Sequence, residues 1–229
     1  MQEKICFIPA RSTSKRFKNK NISYYKDGNL ITHTLDQACV SKVFDRIILS
    51  SNSDEILEYA DFYDGVEKHK RDDSKDTILG VLQDAIPCLK LAEDAILGVL
   101  LVTNPLRHVS DIIKAYKLYE VFEGNNPVVS VMKNLNPIQM SFLINEKGQL
   151  FPVMKEEMKR STRKQDHYDT YFYNDAIIFE SVKRFMEPMR TLYFGSSNAI
   201  PYVMPPERSI SIDYEFQYKI AKCLGENYE

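Results

Sequence analysis

Short apolar, β-branched runs alternate with longer stretches whose apolar side chains recur every three or four positions. Ile5–Ala10 predicts a buried strand and Ile31–Val40 the helix after it. Arg46–Ser51 predicts a second strand, followed by a helix opening near Ser53 with Asp54 and Glu55 in its first turn. Asp76–Leu89 carries apolar residues at helical spacing, and Ala95–Val102 is nearly all apolar, as a central parallel strand should be. Val109–Phe122 reads as helix and Pro127–Met132 as strand. Such an alternation predicts an α/β fold, a parallel sheet covered by helices on both faces.

The rhythm then breaks. Lys133–Tyr173 is polar, NEKG at Asn145–Gly148 predicts a hairpin-like turn, and KEEMKRSTRKQDHYDTYFY is basic and then tyrosine-rich. An inserted arm or small subdomain is expected at about 133–173 of a single domain covering 1–229. Its aromatic surface predicts that it is covered in a dimer. Strand character returns at Ala176–Phe179, the ISI run before Asp213 reads as a strand, and Tyr214–Leu224 closes as a helix.

Composition changes this picture little: 229 residues, 44% hydrophobic, 27% charged, formal net charge -2. That balance excludes a nucleic-acid binder acting through overall charge, so any local basicity has a local purpose. No stretch approaches the ~20 apolar residues of a membrane helix, and the first apolar run is too short for a signal-peptide core. Cys6, Cys39, Cys88 and Cys223 are scattered, without a CxxC pair or a histidine at zinc spacing. Reduced thiols in a cytoplasmic protein are expected, with no membrane partner.

Ligands of open α/β sheets bind beyond the carboxyl ends of the strands. Three polar constellations fall at such ends: the loop from Arg11, TNPLR at Thr103–Arg107, and Asp213. Five cations lie within Arg11–Lys20, and no glycine precedes Gly28. A Walker loop and a dinucleotide fingerprint are both excluded, because each needs glycines for close backbone approach. The loop is either solvated charge or a cradle that holds a polyanion through side chains, and its place directly after the first strand favours the cradle. Asp213 serves either as a helix N-cap or as a ligand of Mg²⁺. Arg163 is either solvated or, if the arm folds over the site, a bidentate clamp for an anionic second substrate. His33, His69, His108 and His167 form no pattern with a serine or cysteine nucleophile.

With these residues in view, IPARSTSKRFKNKNI resembles the opening signature of the CMP-sugar synthetases, in particular the acylneuraminate (nonulosonate) branch. Ala10, Arg11, Ser14, Lys15, Lys20 and Asn21 match its I-x-A-R-x-x-S-K and following K-N. VFDRIILSS is similar to the family's second strand, TNPLR to its T-S-P-L-R, and SISIDYEFQYKIAK to its closing S-I-D-I-D-T-E-x-D. The likeness is collinear over essentially the whole chain, and STRKQDHYDTYFYNDA most resembles the branch that handles pseudaminic acid.

The resemblance implies a nucleotide-diphospho-sugar transferase fold: three α/β/α layers, a mostly parallel Rossmann-like sheet and a small projecting dimerisation arm. It implies a cytidylyltransferase that couples CTP to a nine-carbon 2-keto acid sugar with Mg²⁺ or Mn²⁺, and a homodimer. Arg11, Ser14, Lys15, Lys20 and Asn21 are thereby expected to bind CTP. Arg11, Lys20 and Asp213 are expected to carry catalysis, Asp213 as the metal ligand, and Thr103, Asn104, Arg163 and Gln165 to contact substrate. The departures are specific. Ser211 stands where the family has the first of two carboxylates, Leu101 where the sialic branch has a glutamine, Gln139 where it has a lysine, and DTILG at Asp76–Gly80 replaces D-T-A-S-S. Triphosphate positions are kept while sugar positions change, which points to a nonulosonate other than N-acetylneuraminate. Two alternatives stay open: a synthetase for an eight-carbon ulosonate, and a non-catalytic nucleotide-binding relative.

Overall fold

The computed structural model describes residues 2–14, 16–72, 74–75, 77–159, 163–187 and 198–227. Its elements are β1 (Lys4–Pro9), β2 (Tyr24–Tyr25), β3 (Gly28–Asn29), α1 (Leu30–Ser41), β4 (Arg46–Ser51), α2 (Asp54–Leu57), β5 (Val66–Lys70), α3 (Ile78–Cys88) and β6 (Ile96–Leu100). They continue with α4 (Val109–Val121), β7 (Val128–Lys133), β8 (Phe142–Ile144), β9 (Leu150–Pro152), α5 (Lys155–Met158), β10 (Tyr171–Ser181), α6 (Val182–Phe185), β11 (Ile200–Val203) and α7 (Glu215–Asn227).

A seven-stranded sheet has the order β11-β7-β10-β6-β1-β4-β5. Its pairings are parallel except those of β10, which runs antiparallel between β6 and β7. The chain is therefore α/β with a mostly parallel sheet, as expected. From β1 the order grows to β4 on one side and to β6 on the other, so a topological switch point lies at the carboxyl end of β1.

Period-two alternation along β1 sends Cys6 and Ile8 to one face and Ile5 and Phe7 to the other. The first face packs against Ile31 and Leu35 of α1 and Ile112 and Ala115 of α4; the second against Leu82 and Ile86 of α3 and Phe185 of α6. Each fully buried side chain of this kind contributes roughly 1.5–3 kcal/mol. Gly98 in β6 is required by packing, since a Cβ there would lie 2.4 Å from Phe44 and 2.9 Å from Phe179, whose rings stack at 5.8 Å. Caps set the helix starts. Asn29 Oδ1 accepts from the backbone of Ile31 and Thr32 at the head of α1, and Thr77 Oγ1 accepts from Gly80 at the head of α3.

Several expectations are corrected. β5 and β11 lie at the two edges of the sheet and were not foreseen, because an edge strand does not need a continuous apolar run. Ser209–Ile212 is not a strand; one backbone bond, from Ile212 N to Thr103 O at 2.8 Å, moors it beside the end of β6. β10 begins earlier than Ala176, at Tyr171, and Asn174 and Asp175 form an irregularity inside it, with Asp175 at φ 62°. Tyr171–Tyr173 pair with β7 and so belong to the main sheet.

Between β7 and β10, β8 and β9 form a separate hairpin. Its turn is the predicted NEKG: Asn145 Oδ1 accepts from Lys147 N and Gln149 N, and Gly148 adopts φ 73°. Phe142, Leu143, Ile144, Leu150 and Phe151 are all exposed on it.

Candidate active site

A cavity of about 310 Å³ opens at the switch point. Arg11, Ser14, Arg16, Lys20 and Asn21 line it from the loop after β1, Arg71, Lys75 and Thr77 from the segment after β5, and Thr103 from the turn after β6. Asp213 reaches it from the segment before α7. The strands fix the entry of each segment: Ala10 N donates to Ser50 O at 2.9 Å and Arg71 N to Ser51 O at 3.0 Å.

The basic loop contains no glycine and is held in shape by side chains. Ser12 N donates to Asn52 Oδ1 and Asn52 Nδ2 to Ser12 Oγ, pinning the loop to the end of β4. Asn21 Nδ2 donates to Arg11 O at 2.8 Å, closing the loop across its own width. Asn19, at φ 56°, turns the chain into a 3-10 turn at Lys20–Ile22. Asn21 is itself buried, and its Oδ1 has no hydrogen-bond partner among the described residues.

Lys20 is largely buried; its Nζ donates to Ile212 O at 2.6 Å and to Asp213 Oδ1 at 3.3 Å. Burial lowers its pKa, Asp213 opposes that shift, and the nearby Arg11 and Arg16 lower it further. Arg16 Nη1 lies 3.4 Å from the other oxygen of Asp213. The two readings of Asp213 separate here. Gln217 Oε1 accepts from the backbone N–H of both Asp213 and Tyr214, at 2.7 and 2.8 Å. The helix is capped by Gln217, which leaves the Asp213 carboxylate facing cations instead of N–H groups.

The predicted residues are thus divided. Arg11, Ser14, Lys20, Asn21, Thr103 and Asp213 share one cavity wall although they lie up to 200 positions apart in the chain. Lys15 falls outside the described residues. Asn104 is fully buried and donates from Nδ2 to Asn174 O at 2.6 Å, so it ties β6 to β10 behind the cavity. Arg107, from the same TNPLR, is also fully buried; it donates to Leu101 O, Ala176 O and Gln37 Oε1, and burial lowers its pKa to about 10. Arg163 and Gln165 belong to the segment between β9 and β10 and do not line the cavity; Arg163 pairs with Asp166 at 2.9 and 3.1 Å. Arg71 and Lys75 line it without having been singled out. Reading VEKHK as a strand would have marked the RDDSK that follows as another carboxyl-end loop.

Among the described residues, five cations, Arg11, Arg16, Lys20, Arg71 and Lys75, and one carboxylate, Asp213, line the cavity. The uncovered wall beyond Thr77 is apolar, formed by Ile78, Val81 and Leu101. Such a site suits a compact polyanion carrying an organic portion. Among the described residues no group of three or more His, Cys, Asp or Glu is placed to hold a metal, and no helix is long and apolar enough to cross a membrane.

A mostly parallel α/β sheet with a polycationic cavity at its switch point defines an open-sheet α/β protein with a site suited to an anion. Comparison with known proteins narrows it. A family model described as cytidylyltransferase matches residues 5–194, and the chain belongs to that family, enzymes of the nucleotidyltransferase class. It is 31% identical, over 96% of its length and 95% of the relative's, to a pseudaminic acid cytidylyltransferase of Campylobacter jejuni. It is 26% identical to an N-acylneuraminate cytidylyltransferase of Escherichia coli, over 97% of this chain and 52% of that one. The fold is similar to a CMP:2-keto-3-deoxy-manno-octonic acid synthetase solved with CTP (TM-score 0.74, 10% identity, all of both chains). It is also similar to a 4-diphosphocytidyl-2C-methyl-D-erythritol synthase from Anaerococcus prevotii (TM-score 0.65, 14% identity, 97% of both chains).

Proposed function

We propose that this cavity binds CTP together with a nine-carbon 2-keto acid sugar and joins them into a CMP-sugar, releasing pyrophosphate. One observation carries the reading: among the described residues, five cations and one carboxylate line the cavity at the switch point of a cytidylyltransferase fold. The relatives named for pseudaminic and N-acylneuraminic acid support the sugar class, and Leu101 in place of a polar contact supports a sugar other than N-acetylneuraminate.

In the reaction the anomeric hydroxyl oxygen bonds to the α-phosphorus as the bond to the bridging oxygen of the β-phosphate breaks. The electron pair leaves with pyrophosphate, and the hydroxyl proton passes to water. Transfers of this kind are driven by positioning and by neutralising the charge on the transferred and departing phosphates. Arg11 and Lys20 supply that positive charge, Ser14, Lys15 and Asn21 position the nucleotide, and Thr103 holds Asp213 in place through Ile212. Asn104 acts from behind the wall. Asp213 suits Mg²⁺, which needs only one or two carboxylates when phosphate and water oxygens complete its shell. The ion would add positive charge to the departing phosphates.

The arm completes the assembly. A two-stranded hairpin exposing Phe142, Leu143, Ile144, Leu150 and Phe151 is marginal alone and gains stability when covered by a second copy. We infer that Arg163 and Gln165, carried by this arm, approach the sugar end of a cavity, Arg163 facing the carboxylate. Pyrophosphate release with CTP and a panel of nonulosonates, with an eight-carbon ulosonate included, tests the reading. Turnover with a nonulosonate is expected. Turnover only with the eight-carbon acid, or CTP binding without turnover of any sugar, would overturn it.

A further inference from the structure

Arg16 lines the cavity, yet the opening signature assigns it no role. Its Nη1 faces Asp213 Oδ2 at 3.4 Å while Lys20 Nζ faces Oδ1 at 3.3 Å, so each carboxylate oxygen is occupied by a cation. The guanidinium also lies 5.4 Å from the centroid of the Tyr214 ring, the residue after Asp213. One turn further along α7, Tyr218 packs against Phe17, with 5.4 Å between ring centroids. The basic loop is thereby clasped to the head of α7 by Asp213, the one acidic group among the described residues that line the cavity. Both partners of the Arg16–Asp213 pair are about half exposed, at 58% and 44%, so water weakens it. A polyphosphate offers the same guanidinium several anionic oxygens and bidentate geometry.

We propose that Arg16 is a phosphate-binding residue parked on Asp213 and Tyr214, and that an incoming triphosphate draws Arg16 and Lys20 off the carboxylate. Asp213, stripped of its cations, then becomes an anionic ligand for a divalent cation. Polyphosphate and metal consequently bind cooperatively, each favouring the other by the same factor. The inference rests on the reading of the cavity as a triphosphate site.

The test is calorimetric titration of the full-length protein with inorganic tripolyphosphate in EDTA, where Asp213 and the phosphates compete for the two cations. D213N is expected to bind about tenfold tighter than wild type, within the usual range of intersite coupling. R16A is expected to bind several-fold more weakly. In an R16A background most of the D213N gain should disappear, which a double-mutant cycle reads directly. K18A removes a loop cation that does not line the cavity and should change affinity less than twofold. An equal D213N gain with and without Arg16 would mean simple repulsion of phosphate by Asp213 and overturn the clasp. Equal losses in R16A and K18A would reduce the effect to net loop charge and overturn it too. Absence of tripolyphosphate binding in every variant would remove the triphosphate reading itself, and the clasp with it. The melting temperatures of R16A and K18A should match wild type, because both side chains are exposed.

Discussion

Replacing Arg11 by alanine separates binding machinery from scaffold. Arg11 is exposed at the cavity rim, and its guanidinium makes no hydrogen bond or ion pair with another described residue. Its structural contribution is its backbone carbonyl, which accepts from Asn21 Nδ2 and survives the substitution. Stability should therefore change by no more than about 0.5 kcal/mol, the usual range at a surface position. The sign should favour the variant slightly, because Arg11 is one of the cations that push the Lys20 pKa down and its removal relieves that repulsion. Catalysis should respond very differently. Loss of one preorganised positive group aimed at phosphate costs about 3–4 kcal/mol of transition-state stabilisation, or roughly 100- to 1,000-fold in kcat. Pyrophosphate release under saturating CTP, measured beside a urea melt, resolves the two effects. An R11A protein that loses 2 kcal/mol or more of stability, with turnover falling only as the folded fraction falls, would refute the reasoning.

G98A should cost about 1–3 kcal/mol in a denaturant titration while leaving turnover per folded molecule unchanged, because its Cβ would overlap Phe44 and Phe179, neither of which lines the cavity. His33 has its pKa lowered to about 4 by burial, so the unfolded chain binds the extra proton between about pH 4 and 6.5. Stability should then fall by up to roughly 3 kcal/mol as pH drops through that window, and H33Q should flatten this part of the urea-midpoint profile. L143D with F151D places charge on the exposed hairpin face, and light scattering should report monomer in place of the homodimer proposed for wild type.

The central strands were legible because burial on both faces demands continuous apolar runs, and ICFIP, RIILSS and ILGVL carry them. The edges were not. VEKHK in β5 alternates partly buried and exposed residues, and IPYV in β11 carries Pro201, a residue that edge strands tolerate and central strands do not. Missing β5 hid Arg71 and Lys75, since a loop is recognised as a site only once the strand before it is recognised. The apolar ISI run read as a strand because β-branched residues satisfy that pattern wherever they are buried, even where one mooring bond replaces a ladder.

The chemistry of the site was written in local sequence: a dense cationic loop after a buried strand, with no glycines to do its work. Sequence also placed Asp213 near a helix start, but left its role open, because capping and ligation ask for the same residue in the same local setting. The tertiary structure took the capping role away, since Gln217 accepts from the backbone N–H groups, and brought Lys20 and Arg16 to the carboxylate from the other end of the chain. It likewise sent Thr103 to the cavity and Asn104 and Arg107 into the core, although the three lie within five residues. Residue type is a local property that a chain carries unfolded. Which polar neighbours a side chain meets, and on which side of the sheet, depends on long-range packing and exists only once the strands are paired.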